Sequence, residues 1–129
     1  MRYGKIQRRI KRRIGMKRIF VLVFTFTFLF LHVNVYAHAP TNIEVKVLGS
    51  LVKVKVSHHV VNTRMHYVQY INVYVNGKWR VKQRFAYQQD EDYQEAVFNI
   101  TSLKNQDVLL IIVHCSKKGR LDKSLVVHR

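Results

Sequence analysis

An all-β fold, an immunoglobulin-like antiparallel β-sandwich of about seven strands, is predicted by two patterns in the residues after Pro40. Apolar and polar residues alternate with a period of two in one run after another, the signature of half-buried strands. Turn signals break these runs at short intervals, and no stretch after Pro40 carries a convincing helical period.

The first strand is centred on Ile43, Val45 and Val47, which alternate with Glu44 and Lys46. Gly49-Ser50 turns the chain, and Val52, Val54 and Val56 then alternate with Lys53 and Lys55. A polar connection from His58 to His66 leads into a third strand over 67–75, with Ile71, Val73 and Val75 on one face. Asn76-Gly77 is a strong hairpin signal, because both central residues of a type I′ turn need positive φ. The return strand covers 78–85. Residues 88–95 are polar and acidic and read as a solvated loop; Asp90, Glu91, Asp92 and Glu95 lack the spacing and the glycine of an EF-hand calcium loop. Further strands are expected over 96–101, 107–115 and 121–128. Leu109 to Val113 is apolar at every position, as a central strand covered on both faces would be. No repeat or linker interrupts 38–129, which reads as one domain.

Residues 1–37 are of another kind. Basic residues precede an almost wholly apolar run from Ile19 to Val35, and Tyr36-Ala37-His38-Ala39 follows it. This is the layout of a secretory signal. Cleavage after Ala37 would free His38; cleavage after Ala39 would free Pro40, a less favourable product. Met16 could itself begin a compact signal. The competing reading is an uncleaved N-terminal anchor helix, although the run is slightly short of the roughly 20 apolar residues of a span and carries His32 and Asn34. The expected location is periplasmic or secreted, or else anchored in the inner membrane, with membrane contact only through residues 19–37.

The formal charge of +16 invites a nucleic-acid partner, but its distribution argues against one. Nine of the 23 Lys and Arg lie in 1–37 with no Asp or Glu, leaving 14 basic and seven acidic residues, net +7, in the domain. Lys46, Lys53 and Lys55 alternate with valines as on a solvated strand face, not in the clustered footprint that nucleic acid needs. Glycine-rich phosphate loops, the Gly-x-Ser-x-Gly elbow and Cys-x-x-Cys are all absent.

Cys115 is the single cysteine of the chain, so it has no internal disulfide partner. In an exported protein such a thiol is left to pair between chains, to react, or to bind metal. Its plainer reading is a small buried hydrophobe. Histidines gather where a β-domain could bring them together: His38 before the first strand, His58 and His59 at the end of the second, His66 before the third. Adjacent His58 and His59 cannot both face one site in extended chain, and alternation sends His114 and Cys115 to opposite faces. Imidazoles with a thiolate make a transition-metal donor set. The plainer reading of these histidines is exposed loop residues and, for His38, a flexible terminus.

Together these residues resemble the iron-binding domain of the superoxide reductases, the desulfoferrodoxin family. That family's pattern runs from an early His-x-Pro, through a histidine, a short loop and His-Tyr-Ile, to Cys-Asn-x-His-Gly near the C-terminus. This chain has His38-Ala39-Pro40, His58 or His59, His66-Tyr67-Val68, and Cys115-Ser116-Lys117-Lys118-Gly119. The resemblance implies a mononuclear ferrous ion, Fe(2+), held by His38, one of His58 and His59, and His66, with Cys115 as the axial thiolate. An open position would accept superoxide, with an electron donor outside the chain. Lys118 stands where the family has its fourth histidine. The family's Glu-Lys before the first histidine is replaced by Tyr36-Ala37, and the loop between the second and third histidines is longer. Lys117 and Lys118 would add positive potential that attracts an anion, with Lys118 as the candidate catalytic cation.

Two other classes stand beside this one. A chain cut before His38 could hold copper through its α-amine and ring nitrogen, leaving the remaining histidines and Cys115 unused. A structural sandwich would need no metal at all. A homodimer could form through an edge strand or through Cys115.

Overall fold

The computed structural model describes residues 38–128. It contains seven strands: β1 (Asn42–Leu48), β2 (Leu51–Ser57), β3 (Val68–Val75), β4 (Lys78–Arg84), β5 (Tyr93–Asn99), β6 (Val108–Cys115) and β7 (Arg120–Val126). They form two antiparallel sheets, ordered β1-β2-β5 and β4-β3-β6-β7. The immunoglobulin constant type places its fourth strand in the first sheet; here β4 joins the second. The signal or anchor helix expected within 1–37 lies outside the described residues. Among the described residues no helix is long and apolar enough to cross a membrane.

Alternation builds the core. Val52, Val54 and Val56 of β2 face inward with Ala96 and Phe98 of β5, and Ile71, Val73 and Val75 of β3 meet them beside Leu109, Ile111 and Val113 of β6. Cross-strand pairs on one face hold the register, as in Ile71–Val113, Val73–Ile111 and Val52–Phe98. Each such side chain contributes about 1.5–3 kcal/mol by leaving water. Asn76 and Gly77 take φ of 51° and 75°, the positive pair that the hairpin requires. Asn76 also fastens that hairpin to the start of β6: its side-chain amide donates to Asp107 Oδ1 at 2.8 Å and its Oδ1 accepts from Val108 N at 2.9 Å. Between the sheets, Lys123 of β7 donates to the carbonyl of Ile43 in β1 at 2.7 Å.

β5 begins at Tyr93, earlier than the polar sequence suggests, because it pairs with β2 along its whole length, from Ser57–Tyr93 to Leu51–Asn99. Gln94 hides the pattern. It is a buried polar residue at an inward position, and its amide is satisfied by the N–H of Gln89 and the carbonyl of Glu95. A second irregularity bears on function. The β3–β6 register slips between Val68 and Tyr70, a bulge beside the end of β6 where Cys115 stands. Bulges commonly re-aim side chains near functional sites.

Candidate metal centre

One end of the sandwich collects four of the singled-out side chains, each delivered by a different local device. His58 follows β2 and stays tied to the approach of β5: its N–H donates to the Asp92 carbonyl at 2.8 Å, and that of Val60 to Glu91 at 2.7 Å. The inward parity of Val52, Val54 and Val56 extends one step to His58, which is fully buried at 0 % exposure. His66 is presented by a turn that Asn62 builds. The Asn62 side-chain oxygen accepts the N–H groups of Arg64 and Met65 at 3.0 and 3.2 Å, and its carbonyl accepts from His66 at 3.0 Å. Cys115 ends β6 opposite Val68 and is 7 % exposed. The turn after it is pinned to Tyr67, whose carbonyl accepts from Ser116 N at 2.9 Å and whose N–H donates to Ser116 Oγ at 3.1 Å.

His38 is brought in from the far end of the domain by a close approach of two main chains. Gly119, with φ of +114°, packs so tightly that a Cβ there would fall 2.6 Å from Ala39 Cα. Only glycine allows this contact.

The three rings meet edge to face. Their centroids are 5.0 Å apart for His38–His58, 5.0 Å for His38–His66 and 4.7 Å for His58–His66. One nitrogen from each lies within 4.8 Å of the others, and Cys115 Sγ is 2.8 Å from His66 Nε2. The other candidates go elsewhere. His59 turns to solvent and bonds Asp92 Oδ1 through Nδ1 at 2.6 Å. His114 stacks on Tyr70 on the outer face, 4.5 Å between centroids. Lys118 is exposed in the turn after Cys115, and no fourth imidazole joins the cluster among the described residues. The groove on the outer face of β1-β2-β5, lined by Glu44, Lys46, Lys53 and Lys55, contains none of the cluster.

Burial, more than any neighbour, lowers the pKa of His58; the hydrogen bond it makes to the Gln88 side-chain oxygen partly offsets it. His66 is lowered first by burial, then by proximity to His58, His38 and the Lys117 charge. His114 is lowered by burial too. Neutral rings keep a lone pair for a metal. They also make the metal-free fold acid-sensitive. Because the folded values lie below the unfolded one, the unfolded chain binds more protons once pH drops past about 6.5. Stability is full above that pH and is lost as pH falls through the folded values. Thermal melts of the metal-free protein are expected to show a lower midpoint at about pH 5.5 than at about pH 7.5. An equal midpoint would contradict neutral, buried rings.

The donor set fits a metal ion. His58 Nδ1 donates to Gln88 Oε1 at 2.8 Å, so the lone pair sits on Nε2. That Nε2 is buried without a hydrogen-bond partner. An unsatisfied buried acceptor costs about 1–3 kcal/mol, and a cation bound among the rings would remove that cost. Three imidazoles and a thiolate suit iron, zinc or copper. Two contributors escape sequence reasoning. Gln88 sits in a polar stretch with no pattern to mark it, and Gly119 is visible as a motif ending but not as the partner of Ala39.

Fold and cluster together define a β-sandwich domain with a histidine–cysteine metal site. The family model described as desulfoferrodoxin matches residues 31–123, and the chain belongs to that family. Among solved structures, the superoxide reductase (1Fe-SOR) from Giardia intestinalis shares the fold, with a TM-score of 0.55 at 18 % identity over 69 % of this chain and 99 % of that one. The superoxide reductase (neelaredoxin) from Archaeoglobus fulgidus in the reduced form matches with a TM-score of 0.47 at 22 % identity over 74 % of this chain and 93 % of its own. The superoxide reductase from Nanoarchaeum equitans gives 0.44 at 22 % identity, over 69 % and 93 %. No curated protein matches the chain.

Proposed function

We propose that this is an exported protein that holds one ferrous ion between His38, His58, His66 and Cys115 and reduces superoxide with it. The observation that carries the reading is the convergence of three imidazoles from three separate segments, one with a buried, unpartnered nitrogen, beside the sulfur of Cys115. Bound ferrous iron supplies the single electron which, with two protons, converts superoxide to hydrogen peroxide; an outside donor returns that electron. The chain's own residues do the rest. His58 and His66 stay neutral and offer lone pairs. Cys115 donates charge from a sulfur shielded from solvent. Lys117, whose charge already acts on His66, and the exposed Lys118 favour approach of a small anion. The apolar run before His38 supports export, with cleavage beside His38 or retention as an anchor.

Metal analysis and optical spectra of the purified protein, beside Cys115→Ser, test this reading. One iron per chain and a thiolate-to-ferric charge-transfer band in the oxidised form are expected, with the band lost in Cys115→Ser. Superoxide consumption no faster than with free iron would remove the enzymatic part and leave a metal-binding domain.

A further inference from the structure

Gln88 belongs to no donor set, yet one side chain, 1 % exposed, is bonded to the elements that carry two of the ligands. We propose that Gln88 is a positioning residue: it locks His58 in the tautomer protonated on Nδ1, so that Nε2 is always ready for the metal. The consequence for affinity rests on the metal-centre reading above.

A glutamine amide can present either end to a neighbour, and its partners decide which. Gln88 Nε2 donates to the carbonyls of His58 and Asp90 at 2.7 and 2.8 Å. Turned around, the amide would set its oxygen against two carbonyl oxygens. On the other side Oε1 accepts from Val68 N at 3.3 Å, a group that can only donate. Three main-chain partners therefore fix the amide without reference to the imidazole. Its oxygen can only accept, so His58 Nδ1, 2.8 Å away, must carry the proton. The main chain of Gln88 reaches further, donating to the Thr63 carbonyl at 2.9 Å in the turn that leads to His66. A single residue thus sets the ring state of one ligand and ties it to the segment carrying another. Outer partners of this kind orient ligand imidazoles and are typically responsible for about 10–100-fold of metal affinity.

A residue that merely filled space would affect folding but not the ring. Long-range nitrogen–proton NMR on the labelled, metal-free full chain reads the tautomer directly, and chelator competition reads affinity. His58 is expected in the Nδ1–H form. Gln88→Leu is expected to release it to a mixture and to weaken metal binding about 10–100-fold. Gln88→Glu keeps an acceptor for Nδ1 and is expected to keep the tautomer but to recover the affinity only in part, because its second oxygen replaces the amide donor against the carbonyls of His58 and Asp90. An Nε2–H tautomer in the unmodified protein, or unchanged affinity in Gln88→Leu, would overturn the proposal. Should Gln88→Leu not fold, the unmodified spectrum and Gln88→Glu still decide. An Nδ1–H tautomer in a protein that binds no metal would sustain the lock and defeat the metal reading instead.

Discussion

Gly119→Ala is expected to weaken metal binding at least about tenfold although Gly119 is no ligand. The added Cβ would meet Ala39 at Cα, Cβ and N, at 2.6, 2.9 and 2.9 Å. Two of those atoms are main chain and cannot swing aside. Alanine at φ of +114° is also strained, at a cost of about 1–3 kcal/mol, and the overlap adds a similar amount. The cheapest relief is to lift the lead-in of β1, because its first ladder bond, Thr41 N–H to the Ser57 carbonyl at 2.8 Å, comes only after Pro40. That movement takes His38 away from the other rings. Gly119→Ala should therefore mimic His38→Ala in metal titrations, and the strain left at φ of +114° should also lower the melting temperature, by about 4–8 °C per kcal/mol. In the double variant the losses should not add. Full additivity would show that Gly119 acts somewhere other than through His38.

The neighbouring substitutions His58→Ala and His59→Ala are expected to differ sharply. His58→Ala removes a proposed ligand and a fully buried side chain. Its effect on affinity should exceed the 10–100-fold typical of losing an outer partner. Its cost to the metal-free fold is about 2 kcal/mol, the packing loss being partly offset by removal of an unpartnered nitrogen. His59→Ala breaks only an exposed pair with Asp92, worth about 0.2–1 kcal/mol, and should leave metal binding intact. Metal titration and urea midpoints on the two proteins check both statements. Comparable loss of affinity in His59→Ala would mean that the chain after β2 does not keep the parity of Val52, Val54 and Val56.

That parity shows how much of the site was legible in the sequence. Alternation located the strands, and Asn76-Gly77 located a hairpin, because both signals are local. The choice between His58 and His59 was also within reach: counting two residues on from Val56 selects His58, provided the extended conformation outlasts β2. The start of β5 was hidden because Gln94 breaks the inward apolar series with a polar group that only tertiary contacts satisfy. Gln88 and the Ala39–Gly119 approach were not legible at all. Their roles depend on partners 30 and 80 residues away, respectively, and nothing in their own neighbourhood announces them. The placement of Lys118 fell between these cases: its position in the motif was plain, but not that the turn would leave it in solvent.

Donors at the two extremities of the domain have a further consequence. Linking residue 38 to residue 115 through a shared ion closes nearly the whole folded chain into one loop, so bound metal acts as a reversible staple. Contacts so distant in sequence assemble late and depend on the completed topology. A half-folded chain would therefore hold no metal, and release of the ion would report the first loosening of the sandwich, whichever end gives way.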